Sequence, residues 1–180
     1  MKIFKAYLLG AIHDGTYNKH HGTFRFSQAN RKWLEHIQYI LHELGHKSWI
    51  YREGRMRNVY ALETTAAFLE LAFDPLQLES QKERIAYIRG YFDAEGGVPR
   101  SNVSRLYIQL CQKNRVELTK VKNILEDLKI FCGVVHNPSK EVDPDYWRFF
   151  VRTGSHKRFM HLISSWHPRK RKIFHQRMKI

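Results

Sequence analysis

The chain repeats itself, and a repeat of this length constrains the architecture before any single residue is interpreted. Phe26-Ser27-Gln28-Ala29-Asn30-Arg31 lies over Leu110-Cys111-Gln112-Lys113-Asn114-Arg115 at an offset of 84 residues. Continuing without a gap, Leu34, Ile37, Ile40, Leu41 and Leu44 fall on Leu118, Val121, Ile124, Leu125 and Leu128. Spacings of three and four put these apolar residues on one face of a helix in each copy. Upstream, Phe24 and Phe26 match Ile108 and Leu110 and alternate with polar neighbours, the period of a strand with one buried face. Two copies are too few for a solenoid. They fit a pseudo-dimer instead, two lobes related by a local two-fold axis and joined in one chain.

Each half reads as helix, two strands, helix, two strands, helix. This is an α+β chain of two pseudo-symmetric αββαββα halves, each with a curved antiparallel sheet. The later strands are expected near 47–52 and 57–63 in the first half, and near 132–137 and 146–153 in the second. Phe73-Asp74-Pro75 and Trp166-His167-Pro168 each close an apolar stretch that reads as helix. The first half covers 1–75, a linker 76–83, and the second half 84–180, which ends in a basic tail. With 43% hydrophobic residues in 180, there is material for a packed core. No apolar run reaches the ~18 residues that span a bilayer, and the N-terminus shows no targeting signal. A soluble intracellular monomer, in the cytoplasm or an organelle matrix, is expected. Cys111 and Cys132 lie in apolar contexts and read as free thiols rather than a disulfide.

Charge narrows the partner. Thirty-one Lys and Arg against seventeen Asp and Glu leave +14, a field that favours a polyanion. No helix combines a basic face with a wide apolar one, which argues against a membrane surface. Aromatic and basic residues instead interleave along strand-like segments: Phe24-Arg25-Phe26, Arg105-Leu106-Tyr107 and Trp147-Arg148-Phe149. Duplex DNA carries its own local two-fold symmetry, so a two-lobed basic protein suits a long, pseudo-palindromic double-stranded site.

The chemistry sits at the start of each half, in Tyr7-Leu8-Leu9-Gly10-Ala11-Ile12-His13-Asp14-Gly15 and Tyr87-Ile88-Arg89-Gly90-Tyr91-Phe92-Asp93-Ala94-Glu95-Gly96-Gly97. A glycine inside an apolar helix costs about 1 kcal/mol relative to alanine. Close approach of two helix backbones is a reason to keep Gly10 and Gly90. Gly15 and Gly96 then end the helices, leaving Asp14 and Glu95 at C-termini, where the helix dipole disfavours an anion by ~0.3–1 kcal/mol. Two such carboxylates brought together need a cation. The two motifs resemble those of the LAGLIDADG homing endonucleases of the single-chain, two-motif type, and the repeat covers nearly the whole chain. The resemblance implies that the paired motif helices form the lobe interface. It also implies that Asp14 and Glu95 hold Mg²⁺ (or Mn²⁺) above the minor groove, and that both strands are cut to leave short 3′ overhangs.

One feature departs from the pattern. Gly90 to Gly96 is six positions and Gly10 to Gly15 only five. One missing α-helical residue turns a side chain by ~100°, and the helix cap must absorb that if Asp14 is to serve as a ligand. Gln28 and Gln112, at equivalent strand ends, resemble the family's water-ordering residues. The resemblance also implies a basic catalytic group near the phosphate from the C-terminal part of a half. In the run His167-Pro168-Arg169-Lys170-Arg171-Lys172 the first candidate is Lys170 and the next Lys172, with Arg169 and Lys172 as DNA contacts. The polar strand faces supply the remaining DNA-contact candidates: Thr23, Arg25, Arg52, Arg55, Arg57, Arg105, Tyr107, Gln109, Arg148 and Arg152. Members of the family also act as non-cleaving intron RNA maturases or DNA-binding proteins, which makes intron RNA an alternative partner. His42-Glu43-Leu44-Gly45-His46 spells the zinc-protease pattern, but Gly45 falls where the helix through it should end.

Overall fold

The computed structural model describes residues 2–54, 58–101 and 103–178, with the side chain of Asp14 also outside the description. The first half runs α1 (Lys2–Ala11), a 3₁₀ turn (Ile12–Asp14), β1 (Thr16–Asn18), β2 (Thr23–Gln28), α2 (Arg31–Glu43), β3 (Ser48–Arg52) and β4 (Tyr60–Thr64). The second runs α3 (Gln81–Glu95), β5 (Gly96–Gly97), β6 (Gln109–Gln112), α4 (Arg115–Asp127), β7 (Trp147–Phe150), α5 (His156–Leu162) and α6 (Pro168–Met178). The α+β architecture and its two antiparallel sheets, ordered β1-β2-β4-β3 and β5-β6-β7, match the reading of the repeat. Among the described residues no helix is long and apolar enough to cross a membrane.

α1 and α3 lie against each other along their lengths and form the seam between the halves. The glycines set their separation. A methyl group built on Gly10 would overlap the carbonyl oxygen of Tyr87, and one on Gly90 the carbonyl oxygen of Tyr7. Neither neighbour is a flexible side-chain tip, so neither can yield. Around this crossing Tyr7, Leu8, Tyr87, Ile88, Tyr91 and Phe92 are fully buried and continuous with the cores of both halves. Ser80 opens α3 with a capping box, its hydroxyl taking the Glu83 amide while the Glu83 carboxylate takes the Ser80 amide.

The repeat is visible in the element ends. α2 and α4 each span 13 residues, with bounds 84 apart. Each begins after an asparagine whose side chain accepts from the first helical amides, Asn30 from Trp33 and Asn114 from Val116 and Glu117. Each ends in the same reversal, with His46 N donating to Leu41 O at 2.8 Å and Ile130 N to Leu125 O at 2.9 Å. The residue at that left-handed position is Gly45 (φ 80°) in the first half and Lys129 (φ 61°) in the second. α2 therefore stops before the second histidine of the protease-like pattern, which removes the helix a zinc protease needs.

Three local expectations fail for physical reasons. The apolar stretch before Phe73 forms no helix: Ala66 gives its amide to Thr64 Oγ1 and Leu69 N closes a turn on Ala66 O, local bonds that stand in place of a helical ladder while Ala66 and Leu69 are buried. The strand expected over 132–137 is reduced to bridges at Cys132 with Val151 and His136 with Arg148. Between those bridges three residues, 133–135, oppose only Phe149 and Phe150, so an extra residue bulges the edge and breaks the ladder. The strand through Arg105 and Tyr107 begins only at Gln109.

Two substitutions test this packing by urea denaturation in opposite directions. Gly10→Ala, which forces a methyl into the Tyr87 carbonyl, lowers stability by about 2–3 kcal/mol. Lys129→Gly relieves the left-handed strain and raises stability by about 1 kcal/mol.

Candidate nuclease centre

Strand register decides which first-half residue stands where Glu95 stands in the second. Thr16 pairs with Arg25, and Gly97 pairs with Gln109, the repeat mate of Arg25. One residue back, Gly15 therefore matches Gly96, and Asp14 matches Glu95. Inside the helices the register differs, because Gly10 matches Gly90. The missing residue is absorbed between these points. Gly15 N closes a 3₁₀ bond to Ile12 O, three residues back, at 2.7 Å, whereas Gly96 N closes an α-type bond to Phe92 O, four back. Three 3₁₀ residues rise about 6 Å and turn about 360°, close to the 6 Å and 400° of four α-helical residues. The backbone thus carries Asp14 to the position equivalent to Glu95 with one residue fewer.

Below these tips, each helix is tied to the other through a buried tyrosine. Tyr7 of α1 donates to Asp93 Oδ2 of α3 at 2.8 Å and accepts from Trp33 Nε1 at 2.9 Å. Asp93 also accepts from the Ser165 hydroxyl and, at 2.9 Å, from the Trp166 amide. The mirror contact joins His13 Nε2 to Tyr87 Oη at 2.5 Å. His13 is the residue that the glycine register aligns with Asp93, so the two halves solve one problem with different chemistry. Burial pushes His13 down to about 4, and it bridges as a neutral ring. Burial raises Asp93, while Lys170 and its hydrogen bonds oppose the shift.

Two cavities flank the tips, and each is built across the halves. One, of about 390 Å³, sets Gln28 and Asn30 of the first half against Asp93, Ala94 and Gly96, with His167, Arg169 and Lys170 on its wall. The other, of about 360 Å³, sets Gln112 and Lys113 of the second half against His13, Gly15 and Thr16, with Glu95 and Tyr146 alongside. Gln112 thus shares its cavity with Glu95 of its own half and with the first-half tip, while Gln28 stands against the Asp93-Ala94-Gly96 side of the second-half tip. Lys170 is buried, and its Nζ donates to the carbonyls of Phe92 at 2.5 Å and Asp93 at 2.9 Å. It neutralises the negative end of α3 beside Glu95 instead of extending freely into the cavity. Burial, partly opposed by Asp93, lowers it to about 8. Arg169 and Lys172 are exposed on α6.

The donor chemistry suits a hard divalent cation. Glu95 is half-buried at a helix C-terminus and Asp14 holds the equivalent backbone position, and Asp and Glu are the residue types whose oxygens suit Mg²⁺ or Mn²⁺. Among the described residues no group of three or more His, Cys, Asp or Glu side chains is assembled for a metal.

The sheet faces divide the remaining candidates. Phe26 and Leu62 face the helices, while Arg25, in line with Glu63 and Trp49, lies on the outer face. Thr23 does not lie open on that face: it is 3% exposed and gives its hydroxyl to Glu63. Arg25 pairs with Glu53 at 2.9 Å. Arg52 is exposed, and Arg55 and Arg57 lie outside the described residues. In the second half Gln109 donates to Tyr146 at 3.0 Å, Arg148 lies 5.2 Å from the Phe150 ring, and Arg152 donates to Cys132 O at 3.1 Å. Arg105 and Tyr107 are exposed in the segment before β6. Sequence reasoning missed Asp93, Tyr7, His13 and Tyr146. Equal glycine-to-residue spacing of His13 and Asp93 was the available signal for the first three, and none existed for Tyr146.

A family model described as "LAGLIDADG-like domain" matches residues 6–73 and 82–164. Among solved structures, the chain is similar to mesophilic variants of the homing endonuclease I-DmoI, with TM-score 0.71 and 19% identity over 97% of each chain. It is similar to I-DmoI in complex with DNA and Mn, with TM-score 0.67 and 21% identity over 91% of this chain and 97% of that one. Full-length DUF199/WhiA from Thermatoga maritima gives TM-score 0.71 at 14% identity, covering 99% of this chain and 60% of that one. At these identities the structural likeness is one of fold. A sequence search of curated proteins found no match.

The neutral His13 bridge makes stability depend on pH. Its folded pKa of about 4 lies below the ordinary 6.5, so the unfolded chain binds more protons between those values. Stability is therefore complete above about pH 6.5 and falls as pH drops towards 4, by about 2–3 kcal/mol from this residue. His167, also depressed to about 4, adds in the same direction. His13→Gln keeps a hydrogen-bonding group without the titration. Urea midpoints at pH 7 and 4.5 should fall less in this variant than in the parent chain, and an equal fall contradicts the assignment.

Proposed function

The chain belongs to the LAGLIDADG family, and from that premise we propose that it is a site-specific double-strand DNA endonuclease. It hydrolyses phosphodiesters with a divalent cation, Mg²⁺ or Mn²⁺, and leaves 3′ overhangs. The observation that carries this reading is the equivalence of Asp14 and Glu95, two acids at the ends of paired helices, preserved although their motifs differ in length. I-DmoI, a similar fold, binds target DNA in the presence of Mn, which supports the same partner and cation class here.

Asp14 and Glu95 would hold the cation at the seam. When bound, a divalent cation polarises a phosphate oxygen and makes a nearby water more acidic. Gln28 and Gln112, one in each cavity, orient water by accepting and donating at the two scissile positions. Lys170 keeps a positive charge at the wall of the Gln28 cavity and ties down the last carbonyls of α3, holding the helix end beside Glu95. Arg25, Arg52, Arg105, Tyr107, Gln109, Arg148, Arg152, Arg169 and Lys172 supply contacts along a pseudo-palindromic duplex bound by the monomer. The charge of +14 supports tight, salt-dependent attachment to phosphates.

Incubation with a library of randomised duplexes tests the proposal. With Mg²⁺ the chain should release fragments with 3′ overhangs from one sequence class, and with EDTA it should release none. Glu95→Gln should keep duplex binding while cleavage falls by roughly a hundred-fold or more. An uncut library together with tight binding of intron RNA would replace this reading with the non-cleaving maturase one.

A further inference from the structure

The outer face of the first sheet carries acids on a surface whose charge is otherwise basic. The row nearest the first motif tip runs Thr16, Arg25, Glu63, Trp49 across β1, β2, β4 and β3. Glu63 is half-buried, and hydroxyls from neighbouring rows hold it: Tyr51 Oη donates to Oε1 at 2.5 Å and Thr23 Oγ1 to Oε2 at 3.2 Å. Beside it, the Arg25 guanidinium lies 5.8 Å from the Tyr51 ring centre and pairs with Glu53 at 2.9 Å. The Arg25 Nε–H is buried and has no hydrogen-bond partner among the described residues.

A carboxylate on this face repels DNA phosphates, so non-specific attachment gains nothing from it. It can gain from a base edge. An ionised carboxylate offers about four acceptor sites and no donor. Tyr51 and Thr23 occupy two, which leaves acceptor capacity unused. In the major groove guanine shows N7 and O6 acceptors and thymine an O4 acceptor, all of which repel a carboxylate. Adenine sets its amino group beside the N7 acceptor. Cytosine shows only the N4 amino donor. The neighbouring Arg25, whose side chain is 28% exposed, carries the planar guanidinium donors that match the guanine opposite that cytosine.

Resting on the nuclease reading above, we propose that Glu63 is a base-reading residue. Its carboxylate accepts from the N4 amino group of a cytosine in the major groove, and Arg25 donates to the paired guanine. Tyr51 and Thr23 are positioning residues that fix the carboxylate before DNA arrives. Thr16 is two residues from Asp14 and Glu63 two strands from Thr16, which puts the reader roughly 7 Å along the sheet and 10 Å across it from the tip. The cytosine should therefore lie within about four base pairs of the cut.

Selection from randomised duplexes by binding, at one fixed salt concentration, tests the assignment. The parent chain should enrich a cytosine at one position near the centre of its site. With Glu63→Gln that enrichment should fall by roughly ten-fold or more, other positions should hold, and affinity for non-specific duplex should rise. Tyr51→Phe, which leaves the charge but frees one oxygen, should weaken the same preference by a smaller factor and decides the matter if Glu63→Gln does not fold. Glu35→Gln, on the exposed side of α2, should change nothing. An identical consensus from the parent chain, Glu63→Gln and Tyr51→Phe would overturn the reader while leaving the nuclease standing. No enriched sequence from the parent chain would overturn both.

Discussion

Backbone-to-backbone contact between α1 and α3 is the constraint from which the rest of the molecule follows. Gly10 sits on the Tyr87 carbonyl and Gly90 on the Tyr7 carbonyl. Because each glycine meets the residue three positions before its counterpart, the contact is self-complementary, as an isologous interface requires. It fixes the distance between the two helix ends, and hence how far apart any pair of groups at those ends can stand. The tyrosines that supply the contacted carbonyls also supply the hydroxyls that reach across, Tyr7 to Asp93 and Tyr87 to His13. A single pair of positions therefore sets both the separation and the rotation of the helices.

The halves have diverged where the contact permits and stayed alike where it does not. Asp93 in one motif and His13 in the other are both satisfied by a tyrosine, but only Asp93 also anchors Ser165 and Trp166 ahead of α6. That anchoring brings Lys170 onto the carbonyls of α3. Among the described residues the first half has no α-helix after β4 and sets no such cation against the other tip. The two cavities consequently differ in their charged walls, one having Asp93, Arg169 and Lys170 and the other Glu95 and Lys113.

The sequence shows its long-range plan more readily than its local detail. The 84-residue offset translated directly into identical bounds for α2 and α4, because an amphipathic stripe and an asparagine cap are read from neighbours in sequence. Glu95, Gln28 and Gln112 could be singled out by type and repeat position. Their grouping into two cavities that each draw on both halves could not, since it depends on the sense of helix pairing. The shortened first motif is the clearest case. Counting residues left one missing position for the helix end to absorb if Asp14 is a ligand, and a change of helix type, invisible in composition, restores the register. Thr23 was assigned to the open face by alternation, yet it is buried there with its hydroxyl given to Glu63, forty residues away. The bulge at 133–135 has the same origin, a mismatch in length between segments that meet only in space.

That Asp14 and Glu95 share one cation cluster is the claim with most at stake. Mn²⁺ binding to the protein–duplex complex, followed by electron paramagnetic resonance, measures it directly in the parent chain, Asp14→Asn, Glu95→Gln and the double variant. A shared centre predicts that either single substitution abolishes high-affinity Mn²⁺ binding and that the double variant loses nothing more. Independent partial losses that add up in the double variant would place the two acids in separate sites and contradict the account.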